Sequence, residues 1–176
     1  MADDLRPWRE QALDSDLLKA MAYWSKNPNL WLEAAIPRLS ETIRINPLRR
    51  EIKWTENKII EMGAKKIEWC PNGWIMPWKR GGIPPEYRSL FISLHETGRI
   101  TRQEAVSMIP SLLLDLEHND LVLDMCASPG SKSTHIGEIL GGTGAVIAND
   151  ISKKRTNTLV ANAQRASLPN ILIVQH

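Results

Sequence analysis

In the stretch LVLDMCASPGSKSTHIGEIL, Leu121 to Leu140, an aspartate, a thiol, three serines, a glycine and a lysine fall within ten residues. A thiol can act as a nucleophile, whereas glycine, serines and lysine at a turn can hold an anion or a nucleotide. The local pattern favours holding. The apolar run Leu121-Val122-Leu123, closed by Asp124, reads as a buried strand, and Ser131 to Leu140 reads as the opening of a helix. Small residues fill the turn between them. Open α/β folds place ligands at such turns because the backbone N–H groups of a helix start are unpaired and point outward.

Three ligand classes use a turn of this kind. A Walker loop for ATP or GTP needs G-x-x-x-x-G-K-[ST], but counting back from Lys132 and Ser133 puts Ser131 and Cys126 where both glycines belong. A dinucleotide fingerprint needs G-x-G-x-x-G, and only Gly130 is present. The third class is S-adenosylmethionine (SAM), which carries no phosphate and for which a short turn of small residues suffices. Asp150 follows the next strand-like run, twenty residues after Gly130. A carboxylate there can accept hydrogen bonds from ribose hydroxyls; alternatively it caps the helix that starts near Ser152.

The elements that must position these residues form an alternating series: strand Leu121–Met125, helix Ser131–Leu140, strand Ala145–Asn149, helix Ser152–Ala166 and strand Ile171–Val174. Each crossover is long enough for parallel strands, and right-handed crossovers bring the loops after Asp124 and Asp150 to one sheet edge. Upstream, Leu5, Trp8, Ala12, Leu17, Met21 and Trp24 have helical spacing, Pro28 breaks the run, and Pro37 ends a second helix. Thr42–Ile45 reads as a strand, Thr55–Met62 as a helix capped by Thr55, and Lys66–Cys70 and Trp74–Met76 as strands. After Pro84-Pro85 a helix runs from Glu86 to His95 and stops at Gly98. Thr101 with Glu104 resembles a capping box for a further helix whose apolar face (Ala105, Met108, Ile109, Leu112, Leu113, Leu116) packs on the following sheet despite a kink at Pro110.

The expected fold class is α/β: the first half of a Rossmann-like parallel sheet of the SAM-dependent methyltransferase type, preceded by a small α+β domain. The expected divisions are residues 1–83 for the N-terminal domain, 84–120 for a helical connection and 121–176 for the partial cofactor domain. All seven tryptophans precede residue 80, and most of the ten glycines follow it. The last 56 residues fall short of the roughly 150 of a complete doubly wound domain, so the chain is expected to be part of a longer enzyme.

Hydrophobic content of 43% and charged content of 24% exclude a disordered chain. No apolar run approaches eighteen residues and MADDLRPW lacks a signal peptide's regions, so an intracellular protein without a membrane partner is expected. Cys70 and Cys126 lie in unrelated contexts, and the four histidines share no motif spacing, so no metal is expected. Between Arg44 and Arg80, nine Lys/Arg face four Glu, interleaved with Trp54, Trp69, Trp74 and Trp78. That mixture suits RNA, with cations on phosphates and rings on bases. It equally suits a core of tryptophans under a solvated basic face.

DMCASPGSKST, Asp124 to Thr134, resembles the D-x-C-A-x-P-G-x-K-T motif of the Nol/Nop/Sun family of RNA cytosine-5 methyltransferases, with Ser133 where threonine is more usual. ETGRITRQEAVSMIPSLLLDL and VIAND look like the eukaryotic multisite tRNA branch, and ETIRINPLRR is similar to the strand and turn that open the family's small RNA-facing domain. The resemblance implies SAM as cofactor, with Cys126, Ala127, Ser128, Pro129, Gly130, Ser131 and Lys132 forming its loop, Asp150 binding the ribose and Arg155 close by. It implies that Cys126 is a small turn residue, not the nucleophile. The family adds a thiolate to cytosine C6 so that C5 can take a methyl group, and its catalytic cysteines lie on later strands. No catalytic residue is therefore expected within this chain, which alone should be inactive. tRNA is the implied partner, other RNA being possible, and a nuclear or nucleolar location follows if the eukaryotic branch is right. The alternatives are an rRNA or other SAM-dependent methyltransferase, and a non-catalytic RNA- or protein-binding product.

Overall fold

The computed structural model describes residues 15–35 and 38–176 of the chain. They fall into two compact units divided after Leu39. The first unit holds helices Asp16–Trp24 and Pro28–Ala35. Pro28 opens the second of these, where its missing N–H costs nothing, and Asn27 caps it by accepting the Leu30 N–H at 3.2 Å. The expected helical positions Leu5, Trp8 and Ala12, and the stop at Pro37, lie outside the described residues.

The second unit, Ser40–His176, contains two sheets. Strands β1 (Ser40–Ile45), β2 (Lys65–Lys66), β3 (Gly73–Lys79) and β4 (Ile100–Arg102) form an antiparallel sheet in the order β2-β3-β1-β4. Strands β5 (Leu121–Asp124), β6 (Ala145–Asn149) and β7 (Ile171–Val174) form a parallel sheet in the order β5-β6-β7. Its two crossovers carry helices Ser131–Ile139 and Lys153–Ala166, as the alternating pattern requires.

Alternation along the strands decides what each face meets. Ile43 and Ile45 of β1 join Trp74, Met76 and Trp78 of β3 over Ile59, Phe91 and Leu94, which come from helices Ile52–Glu61 and Pro85–Glu96. The polar residues that alternate with them, Thr42, Arg44 and Asn46, are also buried. In the parallel sheet, Val146 and Ala148 pack with Ile136 and Leu159 of the two crossover helices. Leu123 and Leu172, on either side of Ile147 in the ladder, are exposed on the opposite face, and Leu121 is exposed as well, so β5 is not the buried strand its apolar run leads one to expect.

Four local expectations are corrected. Thr55 lies inside helix Ile52–Glu61 and is buried; Glu51, with φ 57°, is the residue at its start. The strand expected at Lys66–Cys70 shrinks to Lys65–Lys66, because the chain turns back through hydrogen bonds from Cys70 N–H to Ile67 O (3.1 Å) and from Gly73 N–H to Cys70 O (3.0 Å). Thr101 is not a cap: it sits in β4 opposite Arg44, and Glu104 precedes helix Ala105–Leu112. That helix ends at Leu112, short of Leu116, and packs on helix Ser131–Ile139 as well as contributing Met108 to a cluster with Ile67 and Cys70. Gly98 does follow helix Pro85–Glu96, with the left-handed φ of 67° that glycine supplies without a steric penalty.

Candidate functional site

The turn after β5 is braced from within. Asp124 accepts the Cys126 N–H on Oδ1 (3.2 Å) and the Ser133 hydroxyl on Oδ2 (2.7 Å), joining the strand end to the first helical turn. Ala127 N–H donates to Asn149 O (2.8 Å), and Gly130 N–H donates to Ala127 O (2.7 Å). Asn162 of helix Lys153–Ala166 donates to Pro129 O (2.6 Å). Gly130 has φ 101°, and a Cβ there would stand 2.8 Å from Leu159 Cδ1. Having no side chain, it also leaves helix Ser131–Ile139 without a side-chain cap, so the first-turn N–H groups remain as anion donors.

Asp150 is 2% exposed, and its carboxylate lies between the two loops. Oδ1 accepts the Ser152 N–H (3.0 Å), Oδ2 accepts the Ser128 N–H (3.2 Å), and Arg155 Nη2 stands 3.4 Å from Oδ2. Arg155 also donates to Ser128 O (2.8 Å), while Ser128 Oγ donates to Arg155 O (2.7 Å). Asp150 thus turns the chain into the next helix and at the same time grips the candidate cofactor turn. Of a carboxylate's roughly four acceptor positions these donors take three, which leaves about one for a ribose hydroxyl.

The structure brings Cys126, Ala127, Ser128, Pro129, Gly130, Ser131, Asp150 and Arg155 to one edge of the parallel sheet. Cys126, Pro129 and Lys132 are exposed there, whereas Ala127, Ser128 and Gly130 are buried. Cys70 lies elsewhere, buried with its Sγ 3.7 Å from Met108 Sδ, and burial pushes its thiol pKa up. Among the described residues no cluster of His, Cys, Asp or Glu could hold a metal ion. No helix among them is long and apolar enough to cross a membrane.

The basic, tryptophan-containing segment divides. Trp74 and Trp78 are core, whereas Trp54 is 42% and Trp69 is 49% exposed. Arg99 stacks 5.2 Å from the centroid of the Trp54 ring. Arg44 leaves the basic face altogether: it is fully buried and bound to Glu138 through Nε–Oε2 (2.6 Å) and Nη2–Oε1 (3.0 Å). Gln103 and Thr134 complete its hydrogen bonds. Asp124, Ser133, Thr134 and this arginine are the site's supporting residues that sequence reasoning missed. Only Asp124 and Ser133 carried a signal, as members of the motif.

His135 sits beside this network, 2% exposed, and burial followed by the Arg44 charge pushes its imidazole down to about 3. Below its unfolded pKa the unfolded chain takes up a proton that the folded chain refuses. The stability linked to His135 is therefore fully present above roughly pH 6.5 and is lost as pH falls toward 3. We expect about 2 kcal/mol less stability at pH 5 than at pH 7 from this residue. Urea titrations of wild type and His135→Gln at both pH values measure it, and identical pH dependence in the two proteins refutes the assignment.

Three parallel strands in this order, joined by helices and with a small-residue turn after the first, make a Rossmann-like α/β arrangement of the kind found in SAM-dependent methyltransferases and in dinucleotide-binding enzymes alike. A methyltransferase homolog of Pyrococcus horikoshii superposes with a TM-score of 0.76 at 25% identity, covering 98% of this chain and 57% of that one. The family model described as 16S rRNA methyltransferase RsmB/F matches residues 111–176 of this chain. The multisite-specific tRNA:(cytosine-C(5))-methyltransferase trm4b of Schizosaccharomyces pombe is 38% identical over 134 residues, 62% of this chain and 20% of that protein. The tRNA (cytosine(49)-C(5))-methyltransferase of Pyrococcus abyssi is 35% identical over 136 residues, 74% of this chain and 40% of that protein. The chain thus spans well under half the length of these two relatives.

Proposed function

We propose that these residues form the cofactor-binding opening of a SAM-dependent RNA cytosine-5 methyltransferase acting on tRNA. The observation that carries the cofactor reading is the uncapped start of helix Ser131–Ile139 beside a turn gripped by Asp150. The residues fit SAM. The first-turn N–H groups suit its carboxylate, the buried Ala127, Ser128 and Gly130 keep the turn slim, and Asp150 stands at the end of β6 for the ribose. When bound, SAM supplies an electrophilic methyl group. The chain's own residues orient it: Asp124 and Ser133 set the turn, and Arg155 holds Ser128 against Asp150.

The tRNA reading rests on the relatives' activities and on exposed aromatic and basic side chains such as Trp54, Trp69, Arg50 and Lys53. The match of residues 111–176 to 16S rRNA methyltransferases supports rRNA as the second reading. A nuclear or nucleolar location belongs to the proposal through the resemblance to the eukaryotic branch. Neither thiol suits attack on cytosine C6: Cys70 is buried with a raised pKa, and Cys126 belongs to the turn.

The 176-residue polypeptide is expected to bind SAM in a calorimetric titration and, alone, to transfer no labelled methyl group to unmodified tRNA or rRNA. Absence of SAM binding refutes the cofactor reading. Transfer to tRNA abolished by Cys126→Ala would make Cys126 the nucleophile, and transfer to rRNA in preference to tRNA would select the second reading.

A further inference from the structure

The polar face of β1 grips both helices that border the candidate cofactor turn. Arg44 binds Glu138 bidentately on helix Ser131–Ile139, and its Nη2 also donates to Thr134 Oγ1 at 3.2 Å. Thr134 in turn touches the cofactor turn twice, with its N–H on Gly130 O (2.8 Å) and its Oγ1 on Ser131 O (3.3 Å). Two residues along the same strand face, Asn46 Nδ2 donates to Ala166 O (2.9 Å) at the end of helix Lys153–Ala166 and to Gly98 O (3.2 Å). Arg49 adds a bond to Arg165 O at 3.0 Å. That second helix holds the turn through Asn162 and Pro129.

A charge pair with no exposed surface is an expensive way to join two sheets. Desolvation offsets much of its attraction, and apolar residues of similar volume could serve as well for stability. What apolar residues cannot supply is the directed donor that reaches from β1 to the first turn of the cofactor helix. We infer that Arg44 is a positioning residue for the cofactor site, fixing Thr134, and through it Gly130 and Ser131, in the arrangement that receives SAM. The small antiparallel sheet is thereby part of the cofactor site's support as well as a neighbouring module. The inference rests on the SAM reading for its functional consequence, but its structural half stands apart from it.

Two variants test it. Thr134→Val removes the acceptor and leaves the Arg44–Glu138 pair intact. The double replacement Arg44→Met with Glu138→Leu exchanges the pair for apolar volume and avoids a lone buried charge. Hydrogen exchange of the Gly130 and Thr134 amides is followed without SAM, and SAM affinity is then measured by calorimetry well below the melting temperature. In both variants the two amides should exchange faster and SAM affinity should fall roughly tenfold, the value of one charge-assisted hydrogen bond. Wild-type exchange and wild-type affinity in Thr134→Val overturn the inference whatever the double variant does. If the wild-type chain binds no SAM, the cofactor reading fails, and the exchange rates still decide whether Arg44 positions the turn.

Discussion

Replacing Arg44 alone by methionine should lower the stability of the Ser40–His176 unit by about 3–5 kcal/mol at pH 8, a large part of what a domain of this size possesses. The cost comes from Glu138 more than from the lost attraction. Its side chain is 1% exposed, and burial already pushes its pKa up against the opposing influence of Arg44. Without the guanidinium that opposition disappears, and the carboxyl must be either ionised without a partner or protonated. The sign of the pH dependence follows. A carboxyl whose folded pKa lies above its unfolded value is tolerated best at low pH and costs most as pH rises through the folded pKa. Loss of Arg44 also relieves His135, whose imidazole it helps to depress, and this acts in the same direction. The gap between wild type and Arg44→Met should therefore be wide at pH 8 and narrower at pH 5. Urea unfolding at both values is the measurement, and a gap below 1 kcal/mol at pH 8 would mean that Glu138 finds water or another donor.

How much of this was legible beforehand depended on sequence distance. β6 at Ala145–Asn149 and β7 at Ile171–Val174 match their expected bounds, because each is a short apolar run between turn signals. β4 escaped notice. It has three residues, its Thr101 and Glu104 imitate a capping box, and it exists only because β1 pairs with it across more than fifty residues. Trp74, Met76 and Trp78 alternate along one strand, so their shared burial was open to inference from period two; Trp54 and Trp69 lack that pattern and are exposed. Arg44 could not be separated from the exposed cations around it. Its partner Glu138 is 94 residues away, and nothing local distinguishes a buried arginine from a solvated one. The strand, turn and helix around the candidate cofactor turn were the most legible part, since they are carried by contiguous residues with clear turn and helix signals. Its bracing by Asp150 needed the fold.

For Asp150, replacement by asparagine should weaken SAM binding tenfold to a hundredfold, the range for losing one charge-assisted hydrogen bond or a little more. The shape is kept, but an amide has one acceptor oxygen where the carboxylate has two. With Ser128 and Ser152 N–H groups and Arg155 all pointing donors at this side chain, the amide nitrogen must face one of them. A stability loss of about 1–3 kcal/mol should accompany the loss of affinity. Stability alone would not separate a ribose ligand from a loop brace, so the decisive comparison uses two ligands. Wild type should prefer S-adenosylhomocysteine to its 2′-deoxy analogue, because a carboxylate that accepts from the ribose is left short of a donor by the analogue. Asp150→Asn should lose most of that preference, since the two changes remove the same contact and their effects should not add. If instead the variant binds both ligands more weakly but keeps the wild-type ratio, the carboxylate acts only on Ser128 and Ser152. The ribose hydroxyls must then find their acceptor elsewhere on the sheet edge.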